Sequence, residues 1–157
     1  MKPSVYVETT IVSYLTARPS RDLIISARQQ ITREWWATSR EQYEMYSSEH
    51  MDGEASKGDP KAAAERLEAL QDLPRLKTTD SATVLAQRLL DVGAIPLEAE
   101  EDALHVAIAV VNSIDYLVTW NMRHIANATM RHKIDDCCRE AGYDPTTICT
   151  PGDLMED

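Results

Sequence analysis

The sequence predicts an α/β protein built on a mostly parallel sheet, and three observations lead there. Short apolar, β-rich runs at residues 4–7, 43–47, 116–119 and 146–149 alternate with segments of helical apolar spacing. Residues 102–111 leave almost no polar face, because Ala103, Leu104, Val106, Ala107, Ile108, Val110 and Val111 are all apolar. That pattern describes a buried helix rather than a surface one. Polar residues then fall just past strand ends or at helix heads: Glu8, Asp102 and Asn121. In open α/β sheets, ligands bind outside the carboxyl ends of the strands.

Taken in order, residues 4–7 form a first strand, with Glu8-Thr9-Thr10 directly after it. Thr9 or Thr10 is the expected cap of a helix through Ile11, Val12, Tyr14 and Leu15. Glu8 fits two roles here, a first-turn acid favoured by the helix dipole or a functional carboxylate. After the break at Arg18-Pro19-Ser20, residues 22–40 read as a helix with Leu23, Ile24, Ala27, Ile31 and Trp35 inward. Arg28, Arg33 and Arg40 are expected in solvent. A strand at 43–47 leads to Ser48, the expected cap of a short helix holding Met51, Glu54 and Ala55 and closed by Gly58. Asp59-Pro60 starts the next helix, which runs to about residue 73 with Ala63, Leu67 and Leu70 on one face. Asp80 or Ser81 caps another, with Val84, Leu85 and Leu89 inward and Gly93 past its end. Ile95-Pro96-Leu97 is an extended link. Glu98, Glu100, Glu101 and Asp102 crowd the head of the buried helix, where acids complement the dipole. Beyond the strand at 116–119 the Trp120-Asn121 turn opens a helix to about Ala141, closed by Gly142. A last strand and a piece opened by Pro151 follow.

The chain has 157 residues and is expected to form one domain spanning 1–157, long enough for a sizeable core. A net charge of -10 argues against broad, non-specific nucleic-acid binding, which depends on Lys and Arg neutralising phosphates. It leaves room for a nucleic-acid enzyme whose local acids are offset by metal ions. The three cysteines, Cys137, Cys138 and Cys149, show no paired zinc-site spacing and read as free thiols in a reducing cytoplasm. Met1-Lys2-Pro3-Ser4 leads straight into a strand rather than the apolar run of a signal peptide. No run approaches membrane-span length, so no membrane partner is expected.

Glu8, Glu54 and Asp102, with Asn121 as a fourth oxygen donor, sit at the starts or exits of elements and can converge on one sheet edge. Carboxylates gathered without a basic partner repel one another unless a cation joins them. Hard oxygen donors suit Mg²⁺ or Mn²⁺, ions that activate water and stabilise charge on phosphate oxygens.

The segments Val5-Tyr6-Val7-Glu8-Thr9-Thr10, 48–58 around Glu54, Asp102-Ala103-Leu104-His105-Val106-Ala107-Ile108-Ala109, Leu117-Val118-Thr119-Trp120-Asn121 and His124-Ile125 resemble the PIN domain family, which includes VapC-like toxins. The resemblance spans nearly the whole chain, and its most specific part is 102–125. It implies a Rossmann-like, three-layer PIN fold with helices flanking the sheet. It also implies a Mg²⁺- or Mn²⁺-dependent ribonuclease, the toxin of a type II toxin-antitoxin pair. Glu8, Glu54 and Asp102 fall on the family's first three acidic positions, and Asn121 on a position that is often Asp. Those four are the expected catalytic and metal residues. Glu8 stands where Asp is usual and is a methylene longer, and Asn121 is neutral, so a second ion is held weakly or only with substrate. Single-stranded or structured RNA, a small antitoxin and a second copy of the chain are the implied partners.

Neighbouring residues carry alternatives. Thr119 orients a carboxylate or merely ends a strand. His105 faces the site or, the favoured reading, is a hydrogen-bonded core histidine. Arg123 and His124 touch phosphate or lie in a solvated turn. Trp35 and Trp36 read as core and surface aromatics. The rival to the nuclease is a non-catalytic PIN-like module whose acidic face engages a basic protein, a reading helped by the net charge and by Asn121.

Overall fold

The computed structural model describes residues 1–155. Five parallel strands form one sheet in the order β3-β2-β1-β4-β5. They are β1 Ser4–Val7, β2 Glu44–Ser48, β3 Arg75–Leu76, β4 Tyr116–Val118 and β5 Thr147–Cys149. The helices are α1 Thr9–Thr16, α2 Leu23–Gln42, α3 Glu49–Ala55, α4 Pro60–Leu70, α5 Asp80–Asp91, α6 Glu100–Val111 and α7 Arg131–Glu140. Helices cover both faces, giving the three layers that fully parallel sheets require.

Period-two alternation sorts the strand residues between two cores. Tyr6 and Leu117 join the buried residues of α5, α6 and α7 on one face. Val5, Val7 and Val118 pack on the other with Ile11 and Val12 of α1, Trp35 of α2 and Met51 of α3. From β1 the chain builds outward through β2 and β3, then returns to the opposite side with β4 and β5. The strand order therefore reverses between β1 and β4. At such a switch point the carboxyl ends of the strands open a crevice. Glu8 follows β1 and Thr119 follows β4, so both stand at that crevice.

Several expectations are corrected. Glu8, not Thr9 or Thr10, caps α1 by accepting from Thr10 N. Thr79 caps α5, and Val84 is exposed, while Leu85 and Leu89 are buried as expected. Helix α2 keeps Trp35 inward as expected, but its other buried residues are Gln29, Thr32 and Ser39, whereas Leu23, Ile24 and Ala27 are exposed. The reason is hydrogen bonding. Gln29 accepts from Ser20 N and donates to Arg18 O, holding the α1–α2 connection. Thr32 Oγ1 accepts from Trp120 Nε1 at 2.8 Å. Buried polar groups are tolerated when so satisfied, and apolar periodicity alone misses them. Helix α7 begins ten residues later than the turn that precedes it, because Asn121 and Asn127 turn the intervening chain through their side chains.

Candidate active site

The crevice gathers side chains from four elements. Glu8 is buried, and its Oε1 accepts from Thr10 N at 3.1 Å, Thr10 Oγ1 at 2.5 Å and Thr119 Oγ1 at 2.7 Å. Thr10 Oγ1 also accepts from Trp120 N at 2.8 Å, which ties the head of α1 to the end of β4. Thr119 thus holds a carboxylate, one of its two expected roles.

Ser48 closes β2 and caps α3 by accepting from Met51 N. That cap sets the phase of a two-turn helix, on which His50 and Glu54 stand one turn apart. Glu54 Oε1 accepts from Thr9 Oγ1 at 2.7 Å and from His105 Nε2, with His50 Nε2 at 3.9 Å. His105 lies one turn into α6 with no exposed surface. Its Nδ1 meets the Tyr6 hydroxyl at 2.7 Å, and that hydroxyl meets Ser48 Oγ at 2.7 Å. A hydrogen-bonded chain therefore runs Ser48–Tyr6–His105–Glu54 across β2, β1, α6 and α3. Both readings of His105 hold at once: it is a satisfied core histidine, and it faces the site.

Asp102 heads α6, and its Oδ2 accepts from His124 Nδ1 at 2.9 Å. Asn121 Oδ1 accepts from His124 N at 3.0 Å, and the Asn121 carbonyl accepts from Ala126 N at 2.8 Å. The turn after β4 is thus wound around Asn121 and delivers His124 to Asp102. A cleft of about 300 Å³ beside this pair is lined by Glu98, Ala99, Glu100, Glu101, Asp102 and His124.

His105 is the electrostatic centre. Burial alone lowers its pKa, but the Glu54 hydrogen bond and the charges of Glu8, Glu54 and Asp102 outweigh burial and raise it. Burial pushes the Glu54 carboxyl up, yet the hydrogen bond and charge of His105, with Thr9 and His50, hold it at about 2. Glu8 goes the other way. Burial raises its pKa, and the charge of His105 and the bonds from Thr10 and Thr119 only partly offset it. His50 is lowered by burial and by the charge of His105. The expected unrelieved repulsion among the acids is therefore corrected: a buried imidazole sits where no basic partner was foreseen.

Of the four expected site residues, Glu54 belongs to the one His/Cys/Asp/Glu cluster among the described residues whose ligand atoms lie within 4.8 Å of one another, His50, Glu54 and His105. Glu8 and Asp102 stand outside that cluster and reach it through the field of His105. Asn121 acts on the backbone turn. The site residues missed in sequence are His50 and Thr9. The signal for His50 was its spacing, four residues before Glu54 on a helix whose cap was already assigned.

This order of strands and covering of both faces define a PIN-like three-layer α/β fold. Among solved structures, VapC20 of Mycobacterium tuberculosis, described as a sarcin-ricin loop cleaving toxin, superposes with a TM-score of 0.59 at 20% identity, over 80% of this chain and 95% of that one. No protein-family model and no curated protein matches the sequence.

Proposed function

We propose that the chain is a single PIN-like domain acting as a metal-dependent endoribonuclease, the toxin of a toxin-antitoxin pair. One observation carries the reading. Each of three carboxylates in the crevice is held through one oxygen only. Glu8 is held through Oε1, Glu54 through Oε1 and Asp102 through Oδ2, and no hydrogen bond among the described residues falls on their other oxygens. A hard divalent cation takes such oxygens, and three carboxylates with an amide carbonyl fit Mg²⁺ or Mn²⁺ by donor chemistry. Glu8, Glu54 and Asp102 would hold the ion once Glu8 and Asp102, which stand outside the 4.8 Å cluster around Glu54, draw in around it, with Asn121 Oδ1 adding its second lone pair. The bound cation supplies charge stabilisation at the scissile phosphate and lowers the pKa of water.

The chain's own residues do the rest. Thr10 and Thr119 fix the Glu8 carboxylate against the end of β4, and Thr9 and His105 fix Glu54. His124 orients Asp102, and Asn121 fixes the backbone of His124. These bonds fix one oxygen of each carboxylate and leave the other to turn toward a cation. The VapC20 likeness makes a structured RNA loop the first substrate to try. A small antitoxin and a homodimer follow from the same family resemblance.

The test is cleavage of labelled RNA, structured and single-stranded, with Mn²⁺ after chelator treatment, beside Asp102→Asn. We expect cleavage by the wild type and a loss on the order of a thousandfold or more in the variant. Equal cleavage by both would remove the carboxylates from the mechanism. No cleavage by the wild type, together with capture of a basic protein, would favour the non-catalytic module that the net charge of -10 also suits.

A further inference from the structure

We infer that His50 Nε2, Glu54 Oε1 and His105 Nε2 form a site for a divalent transition-metal ion of the Zn²⁺ class, distinct in donor chemistry from the oxygen-only set. Their ligand atoms lie within 4.8 Å of one another, and the two imidazole rings are 4.7 Å apart. Zinc holds nitrogen donors at roughly 2.0–2.1 Å in a tetrahedron, so donors about 3.3 Å apart share one ion. To seat the ion, His50 Nε2, 3.9 Å from Glu54 Oε1, moves in, and His105 and Glu54, now in direct hydrogen bond, move apart. Two imidazoles and one carboxylate select Zn²⁺, Co²⁺ or Ni²⁺ over Mg²⁺, which prefers oxygen. Three protein ligands leave an open position, as in catalytic rather than structural zinc sites.

The outer partners are in place. The Tyr6 hydroxyl is 2.7 Å from His105 Nδ1 and can accept its proton while donating to Ser48 Oγ. That arrangement keeps a proton on Nδ1, so that Nε2, once its own proton leaves, presents a lone pair to the ion, as outer hydrogen bonds do for metal-bound histidines. Thr9 Oγ1 orients Glu54 at 2.7 Å and lies 3.4 Å from His105 Nε2. The ion replaces the proton that His105 Nε2 shares with Glu54, and binding releases it. His50 Nε2, which donates to Glu101 O at 3.2 Å, turns from that carbonyl to the ion as its proton passes to Nδ1. Glu54 belongs to both donor sets, so Zn²⁺ here withdraws it from Mg²⁺ or Mn²⁺. That inhibitory consequence rests on the nuclease reading; the site itself does not.

Chelator-stripped full-length protein is titrated with Co²⁺, read by visible d–d absorption, and Zn²⁺ displacement is followed by calorimetry. The expected result is a saturable spectrum of a nitrogen-containing site. His50→Ala should weaken Co²⁺ affinity by more than about a hundredfold, beyond the effect of losing an outer partner. His105→Gln should abolish the spectrum, and Asp102→Asn should retain it. His105 lies in the core, so His50→Ala, at a half-buried position on α3, carries the test if the other variant misfolds. An unchanged spectrum in His50→Ala, a spectrum lost in Asp102→Asn, or no saturable binding in the wild type overturns the site. A wild type that binds Co²⁺ this way yet cleaves no RNA with Mn²⁺ overturns the nuclease and supports the site.

Discussion

His105 and Glu54 decide how the crevice responds to pH. Glu54 is held at about 2, below its ordinary value, so its share of the stability is present above about pH 4.5 and lost as pH falls through about 2. His105 is raised, so its share is complete below about pH 6.5 and lost as pH rises through its higher folded value. The pair is therefore strongest between about pH 4.5 and 6.5. His105→Gln leaves a partly buried carboxylate without its cation, a change that costs about 3–5 kcal/mol in comparable pairs. The stability gap between wild type and His105→Gln, measured by urea unfolding in chelator, should be widest in that window and narrow on either side. A gap that stays flat across the range would mean that His105 is neutral and contributes by packing alone.

Helix α6 carries Asp102 and His105 at its head and places them by burying its body against α5. Leu89 and Ile108, one from each helix, have no exposed surface. Leu89→Ala or Ile108→Ala should each destabilise the protein by about 2–5 kcal/mol, through lost transfer energy and a residual cavity. Leu97→Ala, at a position 70% exposed, should stay within about 0.5 kcal/mol. The urea midpoint should fall in the first two with an unchanged slope. A neutral Ile108→Ala would show that the α5–α6 seam tolerates looseness. This seam was legible in sequence, because the run from Ala103 to Val111 is apolar at every position but His105. Strand β1, the caps Ser48 and Asp59, and the glycine past α5 were legible for equally local reasons: Gly93 has φ +73, a conformation that glycine adopts freely. Strand β3 was not, since two residues carry no periodicity. Nor was the inward face of α2, where Gln29 and Thr32 are buried through partners that are remote or across a turn. In the crevice, Glu8 was singled out by its position after a strand, Asp102 by its place at a helix head and Glu54 by its place at the exit of a short helix. The role of His105 as their shared counter-charge depends on three elements meeting, and nothing local announces it.

Across the whole molecule, the crevice couples the two cores. Glu8 links α1 to β4 through Thr10 and Thr119, and His105 links α6 to α3 and β1 through Glu54 and Tyr6. Any ion that binds there binds only the folded chain, and it stabilises by RT ln(1 + [L]/Kd). At about a hundred times Kd that is roughly 2.7 kcal/mol. For a domain of this size it corresponds to about 5–10 °C in Tm. Mn²⁺ should therefore raise the Tm of chelator-treated wild type by that amount, and the rise should shrink in Asp102→Asn. The metal-free variant should not gain stability from losing a charge. Asp102 accepts from His124 and contributes to the field that raises the His105 pKa, so its removal weakens favourable pairs as well as repulsive ones. Differential scanning calorimetry with Mn²⁺ and with excess chelator separates the two effects. An equal rise in wild type and Asp102→Asn would take the ions away from Asp102, to the His50–Glu54–His105 set or outside the crevice, and Asp102 would keep only its contact with His124.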